Sequence, residues 1–186
     1  SVQQPPTPVI QMQNPVTPAD AVLNINQPNI APLAADQNYY SVATGITDAG
    51  APAAVVTFTE ANLMEMCRQR TTLCSETNEQ FRNVRLDLRP GGAVVYADMS
   101  LPDLPVQQAI GVVLRLDASG RQFEVAGVDI GGQLFALPSG TLGDQVAQIA
   151  ANGNQLLRQL ELEAAGGVYR LSQVYIDEAA VTLILQ

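Results

Sequence analysis

The sequence has 186 residues and contains no histidine, no lysine and no tryptophan; its nine cationic side chains are all arginine. Without histidine, the chain lacks the commonest general acid or base near neutral pH and the commonest metal ligand. Without lysine, it has no Schiff-base former and no ammonium clamp for phosphate. Cys67 and Cys74 are the only thiols, so one chain cannot assemble a tetrahedral Cys/His zinc site. A serine nucleophile would need a base that is not here. These absences favour a binding or structural protein over an enzyme, with no metal and no cofactor expected.

Charge is also scarce. Charged residues make up 15% of the chain, and the net charge is -9. An acidic chain with no basic run repels phosphate backbones, so no nucleic acid is expected as a partner. The same sign disfavours docking onto anionic membranes. No apolar run reaches the length of a membrane-spanning helix. The first residue is Ser1 rather than methionine, and a signal or membrane tether upstream of it is an expectation.

Apolar residues, in contrast, amount to 47%, enough for a buried core. Two compositions divide the chain. Residues 1–50 carry Pro5, Pro6, Pro8, Pro15, Pro18, Pro28 and Pro32 in a Gln/Asn/Ala background. Prolines at this density oppose helix interiors and central strands. The segment reads as an extended tail or tether, with Tyr39 and Tyr40 as its anchors. Residues 51–186 read as one α+β domain.

Within that domain, Ala54–Phe58 is a short apolar run, and Thr59 is a good N-cap for a short helix carrying Leu63, Met64, Met66 and Cys67. Val84, Leu86 and Leu88 then alternate with polar residues in the period-2 pattern of a half-buried strand. Three further strands follow: Ala93 to Leu101, Val106 to Asp117, and Arg121 to Ile130, with a bulge expected near Ala126-Gly127. A long helix is predicted from Thr141, with Asp144 as a short capping-box partner. Its stripe is Leu142, Val146, Ile149, Gly153, Leu156 and Leu160, and Gly166-Gly167 ends it. Val168 to Ile176 and Ala179 to Leu185 form a closing hairpin.

On one continuous helix, Cys67 and Cys74 would stand roughly 10 Å apart at about 1.5 Å rise per residue. That exceeds the ~7 Å reach of a disulfide, so a bridge requires the helix to stop between them. Arg70, Thr71, Thr72 and Ser75 weaken a helix there, and a bridge would imply an oxidising compartment. Two separately buried thiols are the alternative.

The order of elements, with Phe58-Thr59-Glu60-Ala61-Asn62-Leu63, Val128-Asp129-Ile130-Gly131-Gly132, Leu137-Pro138 and the strand pair through Tyr175–Leu183, resembles the LmeA-like and YpmS-like extracytoplasmic bacterial lipid-binding domains, relatives of the TULIP (tubular lipid-binding) superfamily. The resemblance covers about residues 55–186. It implies a strongly curved antiparallel sheet wrapped around a long amphipathic helix, with a groove for a lipid or other apolar ligand between them. The expected lining is Leu63, Met66, Val95, Leu114, Val146, Ile149, Gly153, Leu156 and Leu160. Arg68 and Arg70 are the candidates for a head group, against the alternative of solvated charges at a helix end. The rival function is a structural or protein-interaction module of the cell envelope with a filled core. The carboxylate pairs Asp98/Asp103, Asp117/Glu124 and Glu161/Glu163 read as solvated turn and surface residues.

Overall fold

The computed structural model describes residues 9–27, 31–34, 39–100 and 106–186. Pro5, Pro6, Pro8, Pro28, Leu101 and Asp103, named above, lie outside these described residues. The strands in chain order are β1 (Ile10–Pro15), β2 (Ala21–Ile25), β3 (Leu33–Ala34), β4 (Ser41–Thr47) and β5 (Pro52–Thr59), followed by helix α1 (Glu60–Arg70). Next come β6 (Arg82–Arg89), β7 (Gly92–Met99), β8 (Gln108–Leu116), β9 (Phe123–Ile130) and β10 (Gln133–Phe135), then helix α2 (Thr141–Arg158). The chain closes with β11 (Leu160–Ala164), β12 (Gly167–Ile176) and β13 (Ala180–Leu185).

These strands form two sheets. Eight make a sheet in the order β1-β4-β5-β13-β12-β11-β2-β3, and five make a second in the order β10-β9-β8-β7-β6. The predicted architecture, one curved sheet wrapped around a long amphipathic helix, is therefore corrected. The described residues are mostly β, 51% strand and 19% helix, with two α-helices beside two sheets. Two local misreadings account for the difference.

The first concerns the proline-rich segment, which supplies strands rather than a tether. Its prolines sit where a missing N–H does least harm. Pro15 closes β1, an edge strand, and Pro18 opens a short 3-10 turn. Ala21, Leu23 and Leu33 are buried in the main core. Tyr39 and Tyr40 do anchor the segment, being 6% and 5% exposed. The Tyr40 hydroxyl donates to the Leu33 carbonyl and accepts from the Leu23 N–H at 3.1 Å, tying β2 and β3 together. Tyr39 donates to Gln69 Oε1 on α1.

The second misreading concerns Leu160. The predicted helical stripe runs through it, but α2 ends at Arg158 and Leu160 begins a strand. Leu160, Leu162 and Ala164 are buried, while Glu161 and Glu163 face the water side. That is a period-2 pattern, and it pairs β11 with both β2 and β12. The helix starts at Thr141 as expected, but its cap differs: Gly140 is the N-cap, without a side-chain cap, and Asp144 N–H bonds to the Gly140 carbonyl at 3.0 Å.

Other expectations hold. Thr59 caps α1, accepting from Asn62 N–H at 3.1 Å. The meander is β6 to β9, and its bulge falls at Ala126, between the pairs Val113–Gly127 and Leu114–Val125. A side chain at Gly127 would collide with the Phe135 carbonyl at 2.3 Å, so the close approach of β10 requires glycine there. The Cys67–Cys74 disulfide is formed, with Cα atoms 5.5 Å apart because α1 ends between the two residues. The main core lies against the eight-stranded sheet and gathers Val56, Phe58, Leu162, Val174, Ile176, Leu183 and Leu185.

Candidate functional site

Helix α2 lies beside the five-stranded sheet without packing down on it. Among its described residues only Gly143 is buried. A side chain at that position would meet the Pro138 carbonyl at 1.8 Å, so the first turn sits hard against the segment preceding it. Further along, the helix stands off. Leu142, Val146, Ile149, Ala150 and Gly153 occur at spacings of three and four, and all border one cavity of about 270 Å3. Ile149 remains 50% exposed although it lies on this inner face. A packed amphipathic helix would bury such a residue; here the stripe borders a space.

The opposite wall is the sheet. Val84 on β6, Val95 and Ala97 on β7, Ile110, Val112 and Leu114 on β8, and Val128 on β9 project into the cavity. On β7 and β8 the alternation of strand side chains produces this row: every second residue faces the cavity. Leu73 and Phe81, from the connection between α1 and β6, border it near the first turns of α2. There Gln80 donates to Gln145 Oε1 at 3.4 Å. Phe123 borders the cavity near the last turns of α2. Its N–H donates to Asn154 Oδ1 at 2.8 Å, and its carbonyl accepts from Asn154 Nδ2 at 2.9 Å. This two-bond bracket explains why α2 carries an asparagine beside Gly153 despite their low helix propensity.

Of the eighteen lining residues, only Gln145 and Asn154 have polar side chains, and none is ionisable. Asn154 is occupied by the Phe123 backbone, so the walls offer water few partners. Water on such a lining is readily displaced by an apolar molecule. A separate polar depression lies on the same α1–β6 connection and its continuation, lined by Ser75, Glu76, Thr77, Asn78, Glu79, Arg82 and Asn83.

The structure brings together five of the nine expected lining residues: Val95, Leu114, Val146, Ile149 and Gly153. The other four lie elsewhere. Leu63 and Met66 on α1 pack against the main core, Leu160 is buried within it on β11, and Leu156 lies on α2 beyond the cavity. Arg68 and Arg70 do not border the cavity either. Arg68 pairs with Glu65 at 2.9 Å, and the Arg70 guanidinium stands 6.0 Å from the centre of the Tyr39 ring. Sequence reasoning missed the other thirteen lining residues, among them Leu73, Phe81, Phe123 and Asn154. Phe123 belongs to a strand pattern that was legible. Leu73 and Phe81 sit in irregular chain, where no periodicity marks an inward face.

The carboxylates serve local structure. Asp117 accepts from the Ser119 N–H and hydroxyl in the β8–β9 turn, and these bonds hold its carboxyl below the usual range. Glu124 faces Arg115 at 3.4 Å, and Asp98 faces Arg85 at 3.2 Å. Glu161 is bound by Asn26 and Arg170, which lower its pKa, and Glu163 accepts from Asn24. Among the described residues no three His, Cys, Asp or Glu side chains converge as a metal site would require. No helix among them is long and apolar enough to cross a membrane.

Comparison with family models, curated proteins and solved structures finds no match for this chain.

Proposed function

We infer that the chain binds a lipid or another apolar ligand, without catalysis, in the cavity between α2 and the five-stranded sheet. The observation that carries this reading is the inner face of α2: an apolar helical stripe set against an apolar sheet face, with about 270 Å3 of space between them. Burying an apolar chain there is favourable by about 25 cal/mol per Å2 of surface removed from water. The lining holds no ionisable side chain, which supports binding rather than chemistry. The Cys67–Cys74 disulfide supports an oxidising, extracytoplasmic setting such as the cell envelope.

A second reading, a protein-interaction module of the envelope, has one observation in its favour. Leu134 and Phe135, 61% and 47% exposed, stand on β10 at the edge of the five-stranded sheet. Exposed apolar edge strands are ready places for a partner chain to add.

Native mass spectrometry of the purified protein, followed by organic extraction, separates the two. A stoichiometric lipid or other apolar molecule in the extract is the expected result. An apo mass that takes up nothing from a lipid mixture would overturn ligand binding and leave the interaction module.

A further inference from the structure

The connection between α1 and β6 holds two apolar side chains against the cavity, and its construction is specific. Residues 71–81 contain no helix or strand. Connections of this kind run over the surface and usually turn polar groups to water. Here Leu73 and Phe81 turn inward instead and join the lining.

Leu73 is fixed from both sides. Its neighbour Cys74 is bonded covalently to Cys67 in the last turns of α1. On the other side, the carbonyl of Thr72 accepts from Asn78 Nδ2 at 3.1 Å and from the Ser75 N–H at 3.3 Å. Asn78 works in both directions, since its Oδ1 accepts from the N–H groups of Gln80 and Phe81, each at 3.0 Å. One asparagine thus links the backbone beside Leu73 to the backbone of Phe81, and Gln80 continues the link to Gln145 on α2.

The lining is held differently toward the two ends of α2. Toward its last turns Asn154 brackets the backbone at Phe123, at the start of β9. Toward its first turns Leu73 borders the cavity from an anchored backbone. A side chain that borders the cavity from a fixed backbone can be trimmed or extended by one substitution.

We propose that Leu73 sets the longest apolar chain the cavity accepts, and that the Cys67–Cys74 disulfide and Asn78 are the positioning groups that hold it in place. The proposal rests on the reading of this cavity as an apolar-ligand site. Each methylene that finds a place in the cavity strengthens binding by about fourfold. Affinity along a homologous series of straight chains should then climb until the chain meets the wall, and level off.

The experiment measures the affinity of n-alkyl glycosides of increasing chain length, below their micelle concentrations, by displacement of a fluorescent apolar dye. Three proteins are compared: wild type, Leu73→Ala and Leu73→Phe. In wild type the affinity rises by about fourfold per methylene and then reaches a plateau. Leu73→Ala moves the plateau to longer chains and Leu73→Phe moves it to shorter ones. Opposite shifts from two substitutions at one position cannot come from loss of folding. A plateau at the same chain length in all three would overturn the role of Leu73 while leaving the cavity as the binding site. No rise with chain length in wild type would overturn the binding reading itself. Replacing both cysteines by alanine, with Leu73 retained, should blur the plateau into a gradual decline. A wild-type plateau in that variant would remove the disulfide from the positioning role.

Discussion

Gly153 offers the most discriminating perturbation, because a packed interior and an open one predict opposite signs. Gly153 lies in the helical body of α2, and its missing Cβ points into space with no atom within 4 Å. Replacing glycine by leucine in a helix interior gains most of the ~1 kcal/mol by which glycine lags the good helix formers. The new side chain enters an apolar cavity and is partly covered there. Full burial of a leucine side chain contributes about 1.5–3 kcal/mol, and partial burial a fraction of this. A net gain of about 1.5 kcal/mol follows, and at roughly 2–4 °C per kcal/mol the melting temperature rises by about 3–6 °C. The same side chain takes space from a ligand. Losing room for two to three methylenes weakens an apolar probe by about 2 kcal/mol, or about thirtyfold in Kd. Differential scanning calorimetry and dye titration read the two effects on one variant. If the space beside Gly153 were filled in solution, leucine would overpack it at a cost of about 1–3 kcal/mol. A melting temperature that falls by several degrees would refute the open cavity, and an unchanged dye affinity would refute its use for binding.

Three further perturbations test the frame around the site. Replacing Cys67 and Cys74 together by serine opens a short covalent loop and should destabilise the protein by about 2–3 kcal/mol, read as a lower melting temperature that reducing agent no longer changes. Tyr40→Phe leaves the buried Leu23 N–H and Leu33 carbonyl without the hydroxyl that serves both; the expected loss is about 1–3 kcal/mol in urea denaturation, and wild-type stability would mean that these bonds are not made. Asp117 has its pKa lowered chiefly by the Ser119 hydroxyl, so its contribution to stability is complete above the ordinary aspartate pKa and is lost as pH falls through the lower folded value. Asp117→Asn should therefore flatten the acid limb of a stability–pH profile, and an acid limb identical to wild type would refute that assignment.

How much of this was legible in the sequence depended on whether a residue's role was local. Thr59 caps α1 because a threonine before Glu60 satisfies an N–H three residues on, and that needs no tertiary information. The meander from β6 to β9 and the bulge at Ala126-Gly127 were legible for the same reason: period-2 alternation and one glycine are local signals. The disulfide needed only a helix that stops. The proline-rich segment was misread because proline opposes strands on average, whereas Pro15 stands at the end of β1 and Pro18 in a 3-10 turn between strands, where the objection lapses. Leu160 was misread because it satisfies both periods at once: four residues after Leu156 it continues a helix, and two before Leu162 it begins a strand. Only the pairing of β11 with β2, across more than a hundred residues of sequence, decides between them. Leu73 and Phe81 carry no periodic signal, because the disulfide and Asn78 aim them rather than secondary structure.

The distribution of the core explains how one chain can leave an apolar space open and still fold. Among the described residues the largest fully buried side chains are Leu23, Leu162, Ile176, Ile184, Leu185, Val56, Val94 and Val174, and all but Val94 belong to the eight-stranded sheet. Leu63 and Met66 bring α1 onto that same core, and Leu157 brings the last turn of α2. Stability is therefore supplied mainly by the eight-stranded sheet. The remainder of α2 is held to the five-stranded sheet by the Asn154 bracket, and its first turn sits against the preceding segment at Gly143; neither requires the apolar stripe to be packed. Separating the two in this way lets the stripe from Leu142 to Gly153 stay free for a ligand. It also carries a consequence for mutagenesis: substitutions along Val146 and Ile149 should change binding much more than stability, whereas equally conservative changes at Leu162 or Ile176 should do the reverse.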